Sequence, residues 1–549
     1  MCAIDVVFPR PSQTPHLRYH SSVPTFHVEN FGCRATQADG AALERQFEGR
    51  GLARADAAQA DLVVLNTCTV TNSADQDARA AIRRVKRQNP LAKIIVTGCY
   101  AQRAPEEVAA LPGVTAVIGN SHKHHLAEIA LPIFSDSGWR SASSAAIDSA
   151  NLTAASAADV DRQQGSRAFL PISALTENRE LRTKNWVFVS DIFAHTELLA
   201  APVFESARTA GLDASDRTRP NLKVQDGCDN RCSFCVIPSV RGHSRSLPLR
   251  EIIREMNALV EAGYREVVIS GINLGRWGRD FGFRVSDLSN ESPNEACRMK
   301  SEVRRLTPHF VDLIRAILSE TQLEKLRISS VEPMDWSDDL IALVASSPRI
   351  ARHAHVPLQS GSDAVLRRMH RKYRPWHYRE KIEKLRSAMP SAAIGADVMA
   401  GFPGETDSEF EATRRLIEDL PFTYLHVFTY SARPGTPAAA MPNQVPVHVA
   451  RERNRILRDL GAEKKLAFMN SFIGKQLDAI TLSAVSNGPV NNGPDGSLTE
   501  ALTDNYQKLY LKGHHEPNRW ISAHIEQISD GALMGSALLD HSLSLRQVI

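Results

Sequence analysis

The segment QDGCDNRCSFCVIP carries Cys228, Cys232 and Cys235 in a C-x3-C-x2-C spacing. Thiolates this close in sequence can hold three irons of a cubane iron–sulfur cluster and leave the fourth iron open to another ligand. A zinc site or a redox thiol pair would use the same residues. Zinc usually takes four ligands from paired C-x2-C elements, and the chain offers no second pair. A second group is dispersed: Cys33, Cys68 and Cys99 each stand just past a run that reads as a buried strand, FHVEN, DLVVLNT and KIIVTG. Strand C-termini in an open parallel sheet line one crevice, so three such cysteines can converge. The competing reading is three unrelated core residues, since free cysteine is often simply buried. Cys2 and Cys297 lie in irregular segments and receive no role.

The elements that must position these thiols follow from hydrophobic periodicity. Residues 25–130 alternate short apolar runs with helical stretches such as Ala41–Gly51 and Ala74–Gln88, which predicts an open parallel α/β sheet. Residues 131–217 read as a linker or insertion. Its Ser141–Asp161 part is rich in Ala and Ser, and Asn185–Ala200 carries apolar residues without a clear pattern. Residues 218–470 return to alternation, with strands expected at Leu222–Gln225, Glu266–Ser270, Leu326–Ser329, His353–Pro357, Ile394–Met399 and Tyr424–Tyr430. Leu249–Ala262 and Asp407–Asp419 are among the intervening helices, and a polar insert covers about 280–305. Six β/α units predict a partial (β/α)6 barrel, and the Cys228 loop follows its first strand, on the face where such barrels carry function. The stretch 449–470 reads as a basic helix. Residues 471–545, with turn signals such as NNGPDG, predict a small β-barrel. The fold class expected is therefore α/β with a C-terminal all-β module.

With 549 residues, 43% hydrophobic and 23% charged, the composition is globular and large enough for about three or four domains. Residues 1–24 lack the apolar stretch of a signal peptide and read as a disordered extension. No apolar run reaches the about 18 residues of a membrane span, so no membrane partner is expected. Eight cysteines with metal-type spacing point to a reducing, cytoplasmic setting. A net charge of +3 does not indicate nucleic acid. The local clusters RRMHRKYR (Arg367–Arg374) and Arg83, Arg84, Lys86 and Arg87 are either phosphate-binding or solvated faces.

Over residues 25–130 and 218–540 the sequence resembles the methylthiotransferase family of radical S-adenosylmethionine enzymes. The resemblance rests on both cysteine groups, on HVPLQSGSD (His355–Asp363), GFPGET (Gly401–Thr406) and TDNY (Thr503–Tyr506), the last in a module that looks like an RNA-binding TRAM domain. NFGCRATQAD (Asn30–Asp39), RISSVEP (Arg327–Pro333) and LHVFTYSARPGTPAA (Leu425–Ala439) look most like the branch acting on tRNA N6-threonylcarbamoyladenosine. Branches acting on isopentenyl-adenosine or on a ribosomal protein usually differ at the RISSVEP position. Thr36 departs from the Asn expected in this branch, at a residue expected to touch no cluster ligand.

The resemblance implies two 4Fe–4S clusters, one on Cys33, Cys68 and Cys99 and one on Cys228, Cys232 and Cys235. It implies S-adenosylmethionine chelated by the open iron of the second and cleaved to a 5′-deoxyadenosyl radical that takes hydrogen from adenine C2. It places sulfur delivery at the first cluster and takes the methyl group from another S-adenosylmethionine. The partners implied are the tRNA anticodon loop and a reductant such as flavodoxin or ferredoxin. Gly271 and Asn273, after the second barrel strand, are expected near the methionine moiety, Gln359 and Ser360 near the ribose, and Gly401 and Gly404 near the adenine; each is equally readable as part of a tight turn. Tyr506 and Tyr510 either stack on unpaired bases or fill the small barrel. A noncatalytic iron–sulfur or zinc RNA-binding protein is the alternative from a different class.

Overall fold

Apolar runs too short to be helices bury themselves as strands, and the amphipathic stretches between them must cover the resulting sheet. The computed structural model shows this twice along the chain and then a change of architecture. It describes residues 23–135, 186–195, 198–199, 218–281, 308–482 and 497–538. The expected Ser141–Asp161 linker, nearly all of the 1–24 extension and the 280–305 insert, the NNGPDG turn, Cys2 and Cys297 lie outside the described residues.

The first sheet comprises β1 (Thr25–Asn30), β2 (Ala53–Arg54), β3 (Leu62–Thr67), β4 (Lys93–Gly98), β5 (Val114–Gly119) and β6 (Trp186–Phe188), in the order β2-β1-β3-β4-β5-β6. Every neighbouring pair is parallel. Alternate residues of the central strands feed two cores, Val63, Leu65 and Ile94 on one face and Leu62, Val64 and Ile95 on the other. That is why β3 and β4 read as continuous apolar runs. β6 comes from the stretch the sequence leaves unassigned; three residues are too few to carry a period.

The second unit holds β7 (Asn221–Asp226), β8 (Arg245–Ser246), β9 (Glu266–Gly271), β10 (Lys325–Ile328), β11 (His353–His355), β12 (Ala393–Ala400) and β13 (Tyr424–Thr429). These form sheets β10-β9-β7-β8 and β11-β12-β13, joined by a parallel bridge from Leu326 to Ile350. Leaving aside the antiparallel hairpin strand β8, the six expected strands are present in consecutive order, as the partial barrel requires. The second and sixth expected strands move at one end only, by one residue, and the fourth has the largest single shift: β11 stops at His355, two residues before Pro357, which has no N–H to donate to a ladder.

The last unit is a closed barrel, β14 (Gln476–Thr481), β15 (Leu498–Thr503), β16 (Lys508–Lys512), β18 (Ala532–Ala537) and β17 (Trp520–Ser529), in the order β14-β15-β16-β18-β17. Closure leaves no free edge. The long helix Val447–Asn470 connects the two units. Its Gly461 lies against Leu425 of β13, and Met469 near its end enters the small barrel's core with Leu509, Leu511 and Ile525.

Candidate active site at two cysteine trios

β1, β3 and β4 are adjacent in the first sheet, and each delivers one cysteine at its C-terminal end. Cys33 is the N-cap of helix Arg34–Glu48, Cys68 follows β3, and Cys99 opens the short helix Cys99–Arg103 after β4. Cys33 is exposed, while Cys68 and Cys99 are buried. Gly32 makes the approach possible: its φ is +107°, and a Cβ there would stand 2.6 Å from the Cys68 Cβ. The Val70 N–H donates to Cys68 Sγ at 3.5 Å, and Asn120 Nδ2 donates to Cys99 Sγ at 3.5 Å. Thr36, expected to touch no ligand, places its hydroxyl 3.6 Å from Cys33 Sγ, because positions three apart share a helix face.

Cys228, Cys232 and Cys235 line the loop after β7. A turn bond from the Cys235 N–H to the Cys232 carbonyl (3.1 Å) and one from the Ser233 N–H to the Met369 carbonyl (3.1 Å) hold it. Ser233 Oγ adds a bond to the Arg368 carbonyl at 2.7 Å. Donors face all three sulfurs: the Asn230 N–H on Cys228 at 3.4 Å, Asn273 Nδ2 on Cys228 at 3.6 Å, Arg371 Nη1 on Cys232 at 3.3 Å and the Ile237 N–H on Cys235. Burial pushes the Cys68 thiol up to about 12, and Cys99 and Cys33 beside it add to the rise. Burial does the same to Cys235, up to about 12, with Cys232 and Cys228 adding. Each trio therefore shares one local environment, in which a bound metal would have to displace protons.

The size of each trio separates the metal readings. Neither has its three sulfurs within 4.8 Å of one another; among the described residues only His355, Asp397 and His426 bring three ligand atoms that close. A tetrahedral zinc with bonds of about 2.3 Å needs sulfurs about 3.8 Å apart. A cubane, whose three irons stand apart, asks for no such close approach, and the N–H donors aimed at the sulfurs match the hydrogen bonding such clusters receive.

The two trios are mechanically joined. Helix Ile237–Arg241 begins two residues after Cys235, and Cys99 packs in one apolar cluster with Val236 and Val240. Asn120 Nδ2, which reaches Cys99, also donates to the Val240 carbonyl at 2.8 Å.

The expected cofactor contacts divide. Asn273 and Gln359 are buried, and Asn273 Oδ1, Gln359 Oε1 and the neighbouring Ser270 Oγ have no hydrogen-bond partner among the described residues. Such orphans call for a missing ligand. Gln359 also holds φ +64°, uncommon for a side-chain-bearing residue. Gly271 gives room to the Gln225 side chain rather than to a ligand. Ser360 is fully buried, with its hydroxyl on Thr413 Oγ1 at 3.1 Å, so it serves the turn. A Cβ on Gly401 would stand 2.4 Å from the Ala450 Cβ; that glycine is explained by helix packing instead of adenine. Gly404 has open space and only Arg368 nearby.

Sequence reasoning missed Arg371 and Glu332. RRMHRKYR reads as either a phosphate-binding run or a solvated face, but Arg371 is buried and paired with Glu332. Arg368 pairs with Glu409 at 2.8 Å and Arg374 with Asp363 at 3.1 Å. A cavity of about 20 Å³ opens beside Cys232, lined by Asn230, Arg276, Glu332 and Arg371. A guanidinium and a carboxylate at one small cavity next to Cys232 complement the carboxylate and ammonium of an amino acid.

Residues 25–119 match the family described as "Uncharacterized protein family UPF0004", and residues 222–417 match the radical SAM superfamily. The chain is 34% identical over 490 residues to the threonylcarbamoyladenosine tRNA methylthiotransferase of Bacillus subtilis, covering 89% of this chain and 90% of that one. It belongs to the radical S-adenosylmethionine methylthiotransferase family. The corresponding enzyme of Rickettsia prowazekii is 33% identical, over 82% of this chain and 86% of its own. The tRNA-2-methylthio-N(6)-dimethylallyladenosine synthase of Novosphingobium aromaticivorans is 32% identical, over 84% and 87%. As a member of this family the chain uses S-adenosylmethionine and 4Fe–4S clusters, and the donor chemistry of both trios suits them.

In this methylthiotransferase, Tyr506 adopts neither expected role. Its ring lies 4.5 Å from that of His353 and 5.7 Å from that of Tyr424, and Arg34 Nη2 donates to its hydroxyl at 3.1 Å. It plugs the end of the partial barrel where the strands begin. Tyr510 is half-buried between the exposed Lys508 and Lys512 on the outward face of β16, since Leu509 and Leu511 point inward. Among the described residues, no helix is long and apolar enough to cross a membrane.

Proposed function

We propose that the chain converts N6-threonylcarbamoyladenosine in the tRNA anticodon loop to its 2-methylthio derivative. The cofactors bound on Cys33, Cys68 and Cys99 and on Cys228, Cys232 and Cys235 supply the radical, the sulfur and the methyl group. The chain's own residues bind and orient. Arg371 and Glu332 face the amino-acid end of S-adenosylmethionine, and Asn273 and Gln359 offer it their unpaired oxygens. Gly32 lets Cys33 and Cys68 approach, and Asn120 with the helix Ile237–Arg241 keeps the two trios in fixed relation. Lys508, Tyr510 and Lys512 present charge and an aromatic face to RNA. The electron comes from a reductant of the flavodoxin or ferredoxin class, and the setting is the cytoplasm.

The observation that carries the substrate assignment is the identity with threonylcarbamoyladenosine enzymes over most of both chains. The barrel lumen supports it. His355, Asp397, Tyr424 and His426 face away from helix Val447–Asn470, with Asp397 Oδ1 3.2 Å from His355 Nε2 and 3.3 Å from His426 Nδ1. A recess of imidazoles, a phenol and a carboxylate suits a substituent bearing a hydroxyl, a urea and a carboxylate. An apolar isopentenyl group offers these side chains no hydrogen-bond partner.

Mass spectrometry of tRNA from a deletion strain tests the assignment. Loss of 2-methylthio-N6-threonylcarbamoyladenosine is expected; loss of 2-methylthio-isopentenyl-adenosine instead, or no change in tRNA, overturns it. About eight irons per purified chain and cleavage of S-adenosylmethionine after reduction separate the enzyme from a noncatalytic zinc protein.

A further inference from the structure

Five charged side chains are sealed together where the first sheet meets the barrel. Asp39 lies on the helix that Cys33 starts, Lys123 follows β5, Lys223 and Asp226 are on β7, and Arg241 ends the helix after Cys235; all are buried. Arg241 Nη1 grips both Asp226 oxygens at 2.8 and 2.9 Å, and its Nη2 reaches Asp39 Oδ2 at 2.9 Å. Lys223 bonds Asp39 and Asp226 at 2.7 Å. Lys123 bonds Asp39 at 3.1 Å and Asn66 Oδ1 at 3.0 Å.

These bonds touch every arm of the first cysteine trio. Asp39 shares the helix of Cys33, and Asn66 lies two residues before Cys68. Asn120, bonded to Cys99 Sγ, holds the carbonyl of Val240, next to Arg241. Burying so many charges is no gain in stability over apolar packing, so an arrangement this costly calls for another use. Arg241 stays charged at any working pH, and in a buried site its field is poorly screened. Its Nε has no partner among the described residues.

We propose that Arg241, set by Asp39 and Asp226, is a positioning residue that fixes the Cys33–Cys68–Cys99 site against the barrel and raises the reduction potential of the cluster held there. Reduction adds negative charge, and a nearby fixed cation stabilises the reduced form. Removing that cation lowers the potential, whereas removing a carboxylate from the group raises it. The inference rests on the reading that this trio holds a cluster.

The test uses the full chain carrying Cys228→Ala, Cys232→Ala and Cys235→Ala, which retains only the first site. If this chain binds no iron–sulfur cluster, the underlying reading fails. If it does, a redox titration followed by electron paramagnetic resonance is run with Arg241→Met, Asp39→Asn and Arg241→Lys. Arg241→Met is expected to be harder to reduce, with a tenfold or larger fall in the ratio of reduced to oxidised cluster at fixed potential, about 59 mV for a one-electron couple. Asp39→Asn is expected to shift in the opposite direction, and Arg241→Lys to keep most of the parental potential. If Arg241→Met cannot hold the cluster, the direction of the Asp39→Asn shift decides. Potentials that stay put, or that move the same way in Arg241→Met and Asp39→Asn, reduce the group to a staple between domains and overturn the proposal.

Discussion

Gly32 is the residue with least room to vary at the first trio. A side chain there meets the Cys68 Cβ at 2.6 Å in a backbone conformation of φ +107°, which only glycine adopts freely. Gly32→Ala is expected to lose the first cluster and keep the second, so iron per chain falls by about half; iron analysis checks this. Arg371 is the corresponding lever at the second site. Arg371→Lys loses the fork that joins Cys232 to Glu332, and lysine cannot reproduce that geometry. The KM for S-adenosylmethionine is expected to rise tenfold or more with the iron content unchanged, measured by cofactor cleavage under reducing conditions. The places of the six cysteines in the fold were legible in the sequence because spacing and strand ends announce them. Arg371, Asn120 and Asp39 were not. Their partners lie far along the chain, as with Asn120 and Val240, and no local pattern marks such a pair.

At the scale of elements, the barrel strands and helices were readable because each repeats a short period and is closed by local chemistry. Helix Asp407–Asp419 appears with the expected ends because Thr406 and Glu409 form a reciprocal capping box, worth about 1 kcal/mol. The packing of Gly401 in GFPGET was not legible from the same local view, since its neighbour lies in another element. Gly401→Ala drives a methyl group into Ala450 on helix Val447–Asn470, and Gly404→Ala meets only the strain of its positive φ of 73°. The second is expected to cost about 1 kcal/mol. The first is expected to cost about 3 kcal/mol or more, because overpacking adds to the strain. Thermal unfolding of both variants in the same buffer checks the difference.

At the scale of the whole molecule, the placement of the two halves was not legible, since the residues between them carry no pattern. It is set by contacts between sequence-remote charges. Besides the group around Asp39, Arg433 of the barrel reaches Thr69, next to Cys68, at 2.7 Å and Asp75 at 2.5 Å. Burial alone would raise the carboxyl of Asp39, but Lys123, Lys223 and Arg241 outweigh it and hold it well below the usual range. Arg241 and Lys223 do the same for Asp226. Carboxyls depressed on folding stabilise the protein above their unfolded value of about 3.9, and that contribution is lost as pH falls further toward the folded value. Asp39→Asn is therefore expected to be less stable than the parent at pH 7, and the gap to narrow below about pH 4; urea midpoints across pH measure it.

The tyrosine that caps the barrel has a mechanical consequence. Tyr506 belongs to the C-terminal module, and its hydroxyl is held by Arg34, the neighbour of Cys33 in sequence. A load applied to that module therefore passes through the Tyr506 phenol to the first turn of the helix that Cys33 caps. Small barrel and cysteine-bearing helix are thus two ends of one lever.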